Sequence, residues 1–254
     1  MTADNPKKKA RPTFTLPTGT FKWPKLIEPD FGTKEYPKEN GELSTKVVYQ
    51  ASDPLIQKFL KAIDPLYQEA LAEGAEAFSK LKVEQRKKLG SMKENPLYSE
   101  LYDQETEQPT GEIEFKVARA YSGQFRDGPK KGKTWKSVVP IFDSSGNRIP
   151  THDKNCEPLQ GAIAIYGGTK GRISVSAAPY FVSATGVAGL KLYLEGVQII
   201  ELSSRGEKSA DSLGFGRVDG GYAHSEAARA GFDDDDDADS ADAASNDDEG
   251  NPDF

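Results

Sequence analysis

The chain has a single cysteine, Cys156, and only two histidines, His152 and His224, in 254 residues. One cysteine excludes an internal disulfide framework and fits a reducing compartment. So few soft and imidazole ligands lead us to expect no zinc site, and no cofactor of any kind. A Ser-His-Asp arrangement would have to draw on one of two histidines, each in a segment that reads as loop, so no catalytic residue is expected. Long apolar runs are also missing. The first residues, "MTADNPKKKARP", are polar and basic, and no stretch approaches the roughly 20 apolar residues of a membrane-spanning helix. The expectation is a soluble, cytoplasmic, non-enzymatic protein without membrane contact.

The most lopsided absence is local. Asp233 to Phe254 contains 11 of the 40 acidic residues and none of the 33 basic ones. The formal charge of −7 therefore conceals a mildly basic body. Residues 1–232 hold 33 basic against 29 acidic residues, a balance of +4. Such asymmetry points to an interaction tail that competes for the body's own anionic ligand.

Four regions follow from composition. Residues 1–12 read as a flexible basic arm, 13–205 as a folded domain, 206–232 as a Gly/Ser-rich linker and 233–254 as a disordered acidic tail. Within the domain, "TFKWPKLIEP" and "LSTKVVYQ" read as strands, the second placing Leu43, Thr45, Val47 and Tyr49 on one face. "SDPLIQKFLKAIDPLYQEALAEG" reads as a helix with Asp53 as N-cap and Pro54 at the first position. Ile56, Phe59, Ile63, Leu66 and Leu71 form its apolar stripe. Pro65 predicts a kink or break near Asp64, and Gly74 an end. Leu81 to Leu89 reads as a second short helix, and 91–109 as a polar connection.

From Thr110 the period becomes two. "GEIEFKVARAY" puts Ile113, Phe115 and Val117 on one face and Glu112, Glu114 and Lys116 on the other. "KTWKSVVPIF", the hairpin-like loop "DSSGNR", "GAIAIY", the turn "GGTKG", "RISVSAAPYFVSA" and "LKLYLEGVQIIEL" follow. About seven short strands with one helical insertion predict a mainly β fold, a small barrel or sandwich interrupted by a helix.

The polar faces carry the candidate chemistry. Ile173 and Val175 set the core parity of one strand, which turns Arg172, Ser174, Ser176, Ala178 and Tyr180 the other way. Burying Leu190, Leu192 and Leu194 turns out Lys191 and Tyr193. Candidate stacking rings are Tyr180, Tyr193, Trp135, Tyr121 and Phe125. Candidate phosphate contacts are Lys116, Arg119, Arg126, Lys130, Lys131, Lys133, Lys136, Arg172 and Lys191. Arg119 and Tyr121 keep core parity, so a rim or bulge would have to free them. Cations that track phosphates beside rings that stack on bases are what a single strand needs. The same residues also fit ordinary packing and solvation, and "YGGTKG" lacks Walker spacing and reads as a turn. An aromatic residue after the acidic run, Asp253-Phe254, suits docking into a basic, apolar pocket on a partner. It also fits an incidental chain end.

The ordered set of segments resembles the single-stranded-DNA-binding proteins that lytic podophages encode for their replisomes. "FTLPTGTFKWPKLIEPDFG", "DPLIQKFLKAIDPLYQEAL", "GEIEFKVARAY", "VVPIFDSSGNRIP", "YGGTKGRISVSAAPY", "GLKLYLEGVQIIEL" and "GGYAHS" carry the likeness, as does the acidic run before Phe254. The resemblance implies an OB-fold, a five-stranded, partly open Greek-key barrel with an inserted helix. It further implies coating and annealing of single-stranded DNA in replication and recombination, in the cytoplasm of an infected bacterial host. The tail would contact the phage DNA polymerase and helicase-primase, and tails would be exchanged within a homodimer. An RNA-binding OB protein is the nearest alternative. An acidic-tailed interaction module or chaperone comes next, and a metal-dependent nuclease last.

Overall fold

The computed structural model describes residues 10–203. The linker, the acidic stretch with Asp253 and Phe254, and most of the basic arm lie outside the described residues.

Twelve strands and two helices are present among these residues. The first three strands are β1 (Thr13–Thr15), β2 (Gly19–Gly32) and β3 (Pro37–Gln50). Helices α1 (Pro54–Ser79) and α2 (Val83–Leu89) follow, then β4 (Lys93–Glu94), β5 (Ser99–Tyr102) and β6 (Pro109–Ala120). Short strands β7 (Ser122–Gln124), β8 (Thr134–Lys136), β9 (Ile141–Phe142) and β10 (Arg148–Ile149) precede the long pair β11 (Lys170–Val182) and β12 (Val187–Glu201).

Five strands close into a barrel in the order β2-β3-β6-β12-β11, with β11 returning to β2. All neighbours are antiparallel except β6 and β12, which run parallel. This is the five-stranded Greek-key arrangement of an OB-fold. The seam between β11 and β2 is short, with partners Lys170 to Thr20 and Gly171 to Gly19. Both glycines are required by close approach. A Cβ on Gly19 would lie 2.4 Å from the Tyr49 ring, and one on Gly171 would lie 2.6 Å from the Phe21 ring.

Alternation fills the interior. Leu43, Thr45, Val47 and Tyr49 are buried from β3, and Ile113, Phe115 and Val117 from β6. In β12 the buried set is Leu190, Leu192 and Leu194, then Val197 and Ile199. The frame slips by one because Glu195 is a bulge: Ser174 pairs with Gly196 while Val175 pairs with Leu194.

Helix α1 covers one end of the barrel. Asp53 caps it, its carboxylate accepting from the Leu55 N–H. Ile56, Phe59, Ile63 and Ala70 are buried against the barrel, with Phe59 edge-on to Phe14 and Phe115.

Four expectations are corrected here. The helix neither breaks at Pro65 nor stops at Gly74; it continues to Ser79. Gly74 is an interior contact point, because a Cβ there would sit 2.3 Å from the Ala188 Cβ. The polar connection 91–109 holds β4 and β5, which add to β12 and β6. "GAIAIY" forms no strand, although it flanks β2. The facing part of β2 is bulged at Trp23-Pro24, and Pro24 has no N–H to offer a ladder.

Candidate nucleic-acid interface

The outer face of the barrel carries a row of four lysines. Lys22 of β2 pairs across to Lys46 of β3, and Lys46 to Lys116 of β6. The parallel register, Leu192 to Val117, sets Lys191 of β12 beside Lys116. Neighbouring strands are about 4.8 Å apart, so the row crosses roughly 14 Å.

Two carboxylates sit within the row. Glu114 is 6% exposed and accepts from Lys22 at 3.3 Å and from Lys46. Glu42 is shared by Lys38 at 2.9 Å and Lys116 at 3.4 Å. Burial pushes the Glu42 carboxyl up, but hydrogen bonding and charge from Lys38 and Lys116 outweigh it and hold the pKa below the ordinary value. Glu42 therefore stays ionised and keeps its hold on Lys116. Lys191 forms no ion pair among the described residues.

Beyond Lys116 the row opens into a groove of about 660 Å³ between the sheet and the wall Asn95–Ser99. Tyr180, Lys191 and Tyr193 line it. The Tyr193 ring lies beneath two cations, with the Arg11 guanidinium 4.1 Å and the Lys191 ammonium 5.2 Å from its centroid. Arg11 reaches this ring because β1 is zipped to β11, with the Ala177 N–H donating to the Pro12 carbonyl. Gly189, opposite Tyr180, leaves room for the second ring: a Cβ there would be 3.2 Å from it.

Of the residues expected from sequence, the groove brings together Tyr180, Tyr193, Lys116 and Lys191. A separate hairpin, β7–β8, carries Phe125, Arg126, Lys130, Lys131, Lys133, Trp135 and Lys136 on or beside its turn. There the Lys130 ammonium lies 5.8 Å from the Phe125 ring, and Trp135 packs on Gly123. Arg126, Lys130, Lys131 and Lys133 are exposed, whereas Lys136 is held by Glu157.

Two expectations, for Tyr121 and Glu114, need correcting. Tyr121 is 5% exposed, with its hydroxyl donating to the Cys156 carbonyl and its ring edge-on to Phe31. Core parity was not relieved there, so the ring has no free face for a base. Arg119, the other residue of core parity, is about one-third exposed and pairs with Glu195 at 3.3 Å, as Lys116 pairs with Glu42. Arg172 points outward but lies down β11 from the groove and does not line it. Glu114, expected on a solvent-facing side, is the buried counter-ion of two lysines.

Lys22, Lys46, Arg11 and Trp23 were not singled out from the sequence. Trp23 is 66% exposed, with the Lys22 and Lys46 ammoniums 4.6 and 5.2 Å from its ring centroid. The available signal was "KWPK", a tryptophan between lysines and before a proline, which marks a bulge more than a regular strand.

An OB-type barrel bearing a cationic row between half-buried tyrosines at one end and the exposed Trp23 at the other is a nucleic-acid-binding arrangement. Comparison with known proteins agrees. The family model "Single-stranded DNA-binding protein, Bacteriophage T7" matches residues 20–202, and the chain belongs to this family. A curated relative, the single-stranded DNA-binding protein of Enterobacteria phage T3, is 26% identical over 204 residues. That match covers 79% of this chain and 80% of the relative. The crystal structure of gp2.5, a single-stranded DNA-binding protein encoded by bacteriophage T7, superposes with a TM-score of 0.55 at 22% identity. It is covered completely, and 85% of this chain is aligned.

Proposed function

We propose that this chain binds single-stranded DNA without sequence preference and coats transient single strands during phage replication and recombination, in the host cytoplasm. Family membership supports the class of ligand. The observation that carries the mode of binding is the lysine row ending on Tyr193 and Tyr180. Phosphates would track Lys46, Lys116 and Lys191, and bases would stack on the two tyrosines. Neither contact reads a base edge, so the affinity would depend on salt and hardly on sequence. The exposed hairpin cations Arg126, Lys130, Lys131 and Lys133 would take further phosphates. The chemistry is binding alone.

The acidic stretch from Asp233 to Asp253 opposes the row in charge. In this reading it competes with DNA for the lysines and, once displaced, is free to contact basic surfaces of replication partners such as a polymerase or helicase-primase.

Anisotropy of a labelled oligo-dT strand titrated with the full chain tests the proposal, with a matched oligo-U strand alongside. Salt-sensitive binding of oligo-dT is expected, and Tyr193→Ala should weaken it by about 1–3 kcal/mol. No oligo-dT binding at low salt would overturn the proposal. Tighter binding of oligo-U would reassign the groove to RNA, because the 2′-OH is the group that separates the two.

A further inference from the structure

Trp23 is held in an unusual backbone conformation while most of its side chain lies outside the barrel's packing. Its φ is +51°, in the left-handed region, which costs an L-residue with a side chain about 1–2 kcal/mol. The following Pro24 disfavours helical backbone at Trp23 further. The cause is a bulge: between the pairs Lys22–Lys46 and Lys25–Ser44, β2 advances three residues while β3 advances two. Glycine or asparagine would suit this backbone better. A tryptophan retained there would ordinarily be compensated by burial, yet 66% of its surface is exposed.

What the bulge achieves is placement. It turns the ring outward at the β2 end of the lysine row, beneath Lys22 and Lys46. Those two ammoniums have a counter-ion already, the buried Glu114. The cluster is thus a ring, two cations and one internal carboxylate standing where a phosphate would stand. The ring also borders two clefts, of about 620 Å³ along the first half of β2 and about 930 Å³ along its continuation from Trp23 to Glu28. Space for a nucleotide is therefore present beyond the row.

We propose that Trp23, Lys22 and Lys46 form a second nucleotide subsite, at the opposite end of the row from Tyr180 and Tyr193, in which Trp23 stacks on a base. Lys22 and Lys46 exchange Glu114 for the strand's phosphates as it binds. The strand then crosses β12, β6, β3 and β2 with a platform at each end, and the lysines carry the segment between. This subsite rests on the single-strand-binding reading above, but the two fail in different ways.

The experiment uses the full chain and two readouts on one titration: anisotropy of labelled oligo-dT, and intrinsic tryptophan fluorescence. The chain has two tryptophans, so wild type is compared with Trp23→Phe. Binding should quench wild-type emission, and most of that quench should be lost in Trp23→Phe, which keeps a ring and binds within about threefold of wild type. Trp23→Ala should bind about 5- to 150-fold more weakly, the loss of one stacked base. Trp23→Gly suits the left-handed backbone. It should melt at or above the wild-type temperature while losing affinity like Trp23→Ala.

If Trp23→Ala binds oligo-dT as tightly as wild type, or Trp23→Phe keeps the quench, the subsite is overturned and the single-strand-binding reading stands. A fall in melting temperature of Trp23→Gly with unchanged affinity would assign Trp23 a structural role, which also overturns it. Absence of oligo-dT binding by the wild type would remove both.

Discussion

Glu114 holds Lys22 and Lys46 from beneath, so a strand arriving on the row meets two lysines that are already paired. It also meets the carboxylate's own negative charge. Two unit charges about 4 Å apart interact by about 1 kcal/mol in water, and more where the site is partly dry. Glu114→Gln keeps the shape and removes the charge. Because Lys22 and Lys46 are each about one-third exposed, both can turn to solvent without leaving a buried charge. Glu114→Gln is therefore expected to bind oligo-dT roughly fivefold more tightly at low salt, about 1 kcal/mol. Weaker binding, with an unchanged melting curve, would show that the carboxylate serves to position the lysines. Residues such as Glu114 and Tyr121 mark the limit of reading alternation. Parity told which face each side chain takes, and for Tyr121 it was right about the face. It could not tell that the outer face at Glu114 is roofed by one lysine from β3 and one from β2, because those contacts depend on register across 68 and 92 residues of sequence.

At the scale of elements, local chemistry was strong enough to specify most of the barrel. Asp53-Pro54 starts α1, and the alternation in β3, β6, β11 and β12 gives their buried faces. Punctuation misled where a tertiary contact overrode it. Gly74 reads as a helix end but is an interior residue on which β12 packs through Ala188. Gly74→Ala shows which effect wins. Helix propensity favours alanine by about 1 kcal/mol, whereas a 2.3 Å approach to Ala188 cannot be met without moving the helix, and overpacking costs about 1–3 kcal/mol. A net loss is expected, lowering the melting temperature by a few degrees; a rise would show that the helix shifts freely. The frame slip at Glu195 was hard to see, since one extra residue leaves each half-strand looking regular, whereas at Trp23-Pro24 the proline alone marks the bulge. The β7–β8 hairpin makes its own prediction. Substituting Lys130, Lys131 and Lys133 together with Gln should reduce the slope of log affinity against log salt by about 2 if all three contact phosphates, at roughly 0.7 each. An unchanged slope would leave the hairpin outside the interface.

For the whole molecule, charge is divided along the chain. The 11 acidic residues from Asp233 onward follow a body of +4 in the sequence. A chain ending at Phe232 is expected to bind oligo-dT more tightly than the full chain, with the difference shrinking as salt rises, because both competitors for the row are anions. Equal affinity at low salt would remove the acidic stretch from the binding equilibrium. Composition made this division visible at once, and the order of segments along the chain made the fold family visible. The lysine row was not visible, because its members lie at 22, 46, 116 and 191 and meet only through the barrel's pairing order.

That row is the central claim, and the salt dependence of oligo-dT binding measures it most directly. Wild type would be compared with a chain in which Lys46, Lys116 and Lys191 are all replaced by Gln, from low to moderate salt. If the row tracks the strand, affinity falls and the slope drops by about 2, the loss of three phosphate contacts at roughly 0.7 each. If affinity and slope both stay at wild-type values while the protein remains folded, the strand does not cross this face of the barrel.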